Sequence, residues 1–139
     1  MIKALAVAVL LAAGFALAGC GQAETGPWLK FDGGGFVVNY SSPPGAYYGF
    51  NVKPLRHLPG GTVLEASMED PNGGPAFLDR KTVNEPALRY SFRTPYLHGI
   101  EAHHPYRAEV RVLEAGTGAL LATYQTAFAS TVDDAWLTK

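Results

Sequence analysis

From residue 28 onwards, apolar and polar positions alternate with a period of two, in short runs broken by glycine and proline. Tyr106, Ala108, Val110 and Val112 fall on one side of such a run, and Arg107, Glu109 and Arg111 on the other. Leu64, Ala66 and Met68 alternate in the same way with Glu65, Ser67 and Glu69, and Leu88, Tyr90 and Phe92 with Arg89, Ser91 and Arg93. Period two is the signature of a half-buried strand. A single wet face per strand means antiparallel sheets, because parallel sheets are covered on both faces. The pattern predicts strands over Trp28–Phe31, Gly35–Tyr40, Tyr47–Val52, Thr62–Met68, Ala76–Thr82, Leu88–Arg93, Tyr106–Glu114 and Ala119–Ala129. On this register, Val110→Asp is expected to unfold the domain and Arg111→Asp to be mild.

Between the runs stand Asp32-Gly33-Gly34, Pro43-Pro44-Gly45, Pro59-Gly60-Gly61, Pro71-Asn72-Gly73-Gly74 and Gly116-Thr117-Gly118. Each joins permissive glycine or φ-fixing proline to short polar residues, which is turn chemistry. Glu114 to Gly118, between two alternating runs, predicts a hairpin. No segment after residue 20 carries a helical stripe. Seven to eight short strands with turns at this spacing predict an all-β, antiparallel immunoglobulin-like β-sandwich, with a small β-barrel as the alternative. Pro105-Tyr106-Arg107-Ala108-Glu109-Val110 resembles the late strand of immunoglobulin-like and fibronectin-type domains. The resemblance implies that Tyr106 ties the backbone at a corner. Two features depart from antibody domains: no disulfide pair is available, and Trp28 and Trp136 lie outside the middle strands.

The N-terminus follows other rules. Lys3 precedes an apolar and small run from Ala4 to Ala16, the layout of an export signal, and the run is short for a membrane-spanning helix. It ends in Leu17-Ala18-Gly19-Cys20, which resembles the lipobox of bacterial lipoproteins. That resemblance implies cleavage after Gly19 and a diacylglyceryl group on the sulfur of Cys20. Cys20 is the chain's one cysteine, so it has no internal disulfide to make. The expected organisation is a signal peptide over 1–19, a lipidated cysteine and short tether over 20–27, and a β-sandwich domain over 28–139. With Gly21 and Gln22 after the cysteine, and no aspartate, the expected address is the periplasmic face of the outer membrane in a Gram-negative host. The expected partners are the membrane, through the lipid on Cys20, and an envelope protein.

Composition narrows the function further. Removing Lys3 with the signal leaves ten basic residues against twelve acidic ones, a net charge of −2. The charges are scattered, without a basic run, so nucleic acid is not an expected partner. Catalytic signatures are absent from the sequence: no Gly-x-Ser-x-Gly elbow, no His-Glu-x-x-His and no phosphate-binding glycine loop. The chain therefore reads as an interaction or structural module, not an enzyme, and no cofactor is expected.

Two clusters are candidates for binding. His98, Glu101, His103 and His104 lie between two strands, and imidazole with carboxylate suits Zn²⁺ or Cu²⁺. A copper- or zinc-binding lipoprotein is thus the alternative function, with His57 and Met68 as ligands if folding brings them near. The bland alternative is an exposed connector. The second cluster is aromatic: Tyr40, Tyr47, Tyr48 and Phe50 around Ser41 to Gly45. Neighbouring residues of a strand face opposite ways, so one of Tyr47 and Tyr48 lies outside the core. Tyr47 and Tyr48 are therefore the candidate contact patch, and the competing reading puts Tyr48 in the core with Tyr47 alone on the surface.

Overall fold

Alternation is kept where one face meets the core. In the computed structural model, which describes residues 26–138, the strands are β1 Leu29–Asn39, β2 Gly45–Pro54, β3 Val63–Met68, β4 Phe77–Thr82, β5 Tyr90–Arg93, β6 Tyr106–Leu113 and β7 Leu120–Phe128. A 3-10 turn follows at Ala135–Thr138. The signal, the lipobox with Cys20 and the tether up to residue 25 lie outside the described residues. All strand pairs are antiparallel, in a three-stranded sheet β1-β2-β5 and a four-stranded sheet β4-β3-β6-β7. The sheets do not close on each other by strand pairing, so the fold is a sandwich and not a barrel. The fourth strand pairs with the third, whereas constant-type antibody domains place it beside the fifth, in the sheet that holds the first.

Two predicted strands prove to be one. Trp28–Phe31 and Gly35–Tyr40 merge into β1, and Asp32-Gly33-Gly34 is a bulge in it, with the register shifting between Phe31 and Gly34. Gly33 has φ +94°, and a side chain on Gly34 would meet Phe50, the Gly49 carbonyl and the Phe128 ring at under 3 Å. The glycines thus admit a bulge over a tightly packed neighbour. A second correction concerns Leu88, which precedes β5 and is 89% exposed instead of inward-facing.

The core between the sheets is aromatic where antibody domains have a disulfide and tryptophan. Tyr48 packs on Phe36 at 5.0 Å, Phe128 at 6.1 Å and Tyr106 at 6.5 Å, and Phe50 packs on Phe92 at 5.5 Å and Phe128 at 6.0 Å. Each such pair adds about 0.5–1.5 kcal/mol beyond its burial. Tyr48 also staples the sheets, because its hydroxyl donates across the core to the Glu69 carbonyl. The Tyr106 hydroxyl accepts from the Glu101 N–H at 2.8 Å, five residues upstream. That is the corner bond expected of the tyrosine at this position. The hairpin joining β6 and β7 is also present, closed by Glu114 N–H to the Ala119 carbonyl at 2.7 Å.

Burial pushes the Tyr48 phenol well above its ordinary value, and Glu69, Asp70 and Tyr106 push the same way. An unfolded tyrosine begins to ionise near pH 10, earlier than Tyr48 does in the fold. Its contribution is therefore complete below about pH 10 and declines above it, as the unfolded chain releases the proton first. Tyr48→Phe should cost about 1 kcal/mol at neutral pH. It should also flatten the alkaline decline, read as urea-unfolding free energy against pH.

Polar residues on the outer face are less solvated than the sequence suggests. Glu65 is only 6% exposed, although it points away from the core. It is covered by its two cross-strand neighbours, Arg80 at 2.6 Å and Arg111 at 3.3 Å. At the edge of the same sheet, β4 turns Phe77, Asp79 and Lys81 towards the other layer, and the Lys81 ammonium lies 5.4 Å from the centre of the Phe92 ring.

Candidate functional site

Antiparallel topology sorts the connections to two ends. Gly26 and Trp28, the β2–β3 connection, the β4–β5 connection and the β6–β7 hairpin share one end. The β1–β2 turn, the β3–β4 connection, residues 94–105 and the segment after β7 share the other. Strands of ten or so residues hold these ends about 30 Å apart. Of the residues in the two candidate clusters, His57 alone lies at the Gly26 end; Met68 ends β3 at the far end, inside the core.

The histidine loop is held by its backbone. Gly99, with φ +83°, donates its N–H to Asp134 at 2.6 Å, and His103, with φ +64°, donates its own to the Ser130 carbonyl at 2.7 Å. Ala102 bridges to Ser130, while Leu97 and Ile100 are buried. His98, Glu101, His103 and His104 are exposed, and the His104 ring lies 4.7 Å from that of Tyr106. Among the described residues, no three His, Cys, Asp or Glu side chains converge to hold a metal ion. His57 stands at the opposite end and Met68 is fully buried, so neither joins the loop. The four predicted ligands share a loop without sharing a centre. Beside it, a depression on the outer face of the four-stranded sheet holds Glu69, Arg107, Glu109 and Gln125. Its carboxylates are already engaged, Glu69 by the Arg107 N–H and Glu109 by Gln125.

The aromatic cluster has a different organisation from the one expected. Tyr48 is fully buried and leaves the contact patch. Tyr47 remains on the outer face of the three-stranded sheet, opposite Val37, and it is not alone. The Arg93 guanidinium sits 3.9 Å from the centre of the Tyr47 ring, and the Tyr96 ring lies 6.1 Å from it. The Tyr96 hydroxyl accepts from Asn39 at 2.9 Å, and its ring covers Gly45 so closely that a Cβ there would come within 2.6 Å. Beside this column the paired residues Gly35 and Gly49 leave a floor without side chains. A second pair stands at the rim: Tyr40, 71% exposed, packs on Trp136 at 4.8 Å. The Ser42–Pro43 peptide between the two groups is cis.

The sequence points to Tyr40 and Tyr47 but misses Tyr96, Arg93 and Trp136. Tyr96 follows Pro95 outside any alternating run, and Trp136 is 96 positions from Tyr40, so only folding brings them together. Comparison with family models, with curated proteins and with solved structures gives no match to this chain.

Proposed function

We propose that this chain is a lipid-anchored, non-catalytic interaction module of the bacterial cell envelope, held to the membrane through Cys20. It presents its far end to a partner protein. The supporting observation is the segregation of exposed aromatic side chains. Tyr40 and Tyr96, with Trp136 and Tyr47 beside them, lie at or near the end away from Gly26, and Arg93 stacks among them. Tyrosine, tryptophan and arginine are the residue types that dominate binding energy in protein interfaces. Here their rings are already held by stacking and by the Asn39 bond, so little side-chain freedom is lost on contact. A tether leaving from the opposite end keeps this surface clear of the bilayer.

The test is photo-crosslinking in intact cells, with benzoylphenylalanine placed at position 40 and, as control, at the exposed position 78. A discrete adduct is expected at 40 and not at 78, and Trp136→Ala should remove it. Equal labelling at the two positions would overturn the reading.

A further inference from the structure

The exposed apolar side chains at the end near Gly26 are leucines, whereas those in the connections at the far end are mainly aromatic, with Val132 beside them. Leu55, Leu88, Leu120 and Leu121 are 44%, 89%, 51% and 38% exposed, and all belong to connections or strand starts at this end. Hydrogen bonds draw these connections together. The Leu55 N–H reaches the Trp28 carbonyl at 2.8 Å, and Gly61 and Thr62 exchange bonds with Val83. Gly61 packs against Ala115 of the hairpin, where a Cβ would stand 3.0 Å from that of the alanine. On the outer face nearby, Lys30 and Lys53 are direct cross-strand partners. Like charges placed opposite each other are unfavourable. Among the described residues, no ion pair joins either lysine to a carboxylate. An anionic surface would relieve that repulsion.

The chain outside the structure says what covers this end. Six residue-to-residue steps separate Cys20 from Gly26, a full extension of about 20 Å. Gly26 itself is tied to the domain by the Arg56 guanidinium, which donates to its carbonyl at 3.3 Å. A lipid on Cys20 would therefore keep Gly26, and with it the end that carries the leucines, within about 20 Å of the headgroups.

We propose that this end rests on the bilayer, with Leu55, Leu88, Leu120 and Leu121 entering the interfacial layer and Lys30 and Lys53 meeting anionic phospholipid. The contact rests on the lipidation of Cys20 proposed above. Exposed leucines alone are a weak membrane anchor, and tethering makes the contact effectively intramolecular.

The lipid on its sulfur leaves Cys20 unreactive, so Leu88→Cys gives the mature lipoprotein a single free thiol for a nitroxide. Leu78→Cys, exposed on the outer face of β4, gives a control. Both are reconstituted into vesicles of phosphatidylethanolamine and phosphatidylglycerol and floated. At position 88 the nitroxide should lose accessibility to a water-soluble paramagnetic chelate and gain accessibility to oxygen, while position 78 stays open to the chelate. Leu120→Cys should repeat the result at position 88. Equal accessibility at 78, 88 and 120 in floated vesicles overturns the contact and leaves the anchor standing. A protein that fails to float overturns the anchor, and the contact with it.

Discussion

Val110→Asp is expected to abolish cooperative unfolding of the domain. Val110 is fully buried at the middle of β6, with Ala66 of β3 and Tyr124 of β7 as its direct partners. A carboxylate there would be enclosed by apolar core side chains, and burying an unpaired charge costs more than a domain of this size can lose. The neighbouring Arg111→Asp provides the contrast. Read from the sequence, position 111 is a solvated position where a charge reversal is mild. In the fold its guanidinium covers Glu65, so aspartate there removes one partner of a nearly buried carboxylate and sets a like charge beside it. Arg80 still holds the other oxygen at 2.6 Å, and the Arg111 side chain is itself 41% exposed. The expected loss is therefore about 1–3 kcal/mol, below the full cost of breaking a buried pair. Urea unfolding of residues 21–139 reads both. A folded Val110→Asp variant would reverse the register of β6. An Arg111→Asp variant within about 0.5 kcal/mol of the parent would show that Glu65 does not depend on its neighbours.

Cys20→Ser is expected to change where the protein is found without changing its fold. Each buried methylene contributes about 0.8 kcal/mol, so one acyl chain binds marginally and two or more make release negligible. Serine offers no sulfur to the diacylglyceryl transfer that, on this reading, precedes cleavage. The variant should thus accumulate as a precursor that keeps residues 1–19, while the parent begins at a lipid-modified Cys20. Mass spectrometry of the N-terminus distinguishes the two. An unmodified cysteine, or cleavage at another bond in the parent, would remove the basis for the anchor. Val110→Asp acts on folding and Cys20→Ser on attachment, so the two losses should be separable in one set of cell fractions.

Legibility in the sequence followed whether one neighbour or several decide a position. The alternation of β6 was readable because a dry layer on one side and water on the other act on every residue of the strand. Asp32-Gly33-Gly34 was not, because a glycine pair permits a turn and a bulge equally. The choice fell to Phe50 and Phe128, far along the chain. Glu65 misled for a related reason: a charged residue names its own chemistry but not its cover, which came from residues 15 and 46 positions away. Alternation established that one of Tyr47 and Tyr48 faces out, and the pairing with Phe36 decided which. In the histidine loop, spacing recorded which side chains were near in sequence. Their directions were set by backbone bonds to Ser130 and Asp134, which no local pattern announces.

The charged lining of β4 bears on how copies of this protein live side by side. A sheet edge has unpaired peptide groups and is a template for the edge of another molecule. Copies tethered to one bilayer would share a height and an orientation, so identical edges would meet repeatedly by lateral diffusion alone. Joining two sandwiches along β4 would bury Asp79 and Lys81 in a continuous layer and strip them of water, at a cost that rises with each added copy. If the chain is anchored as proposed, these two side chains would keep the β4 edge of one copy from pairing with that of the next.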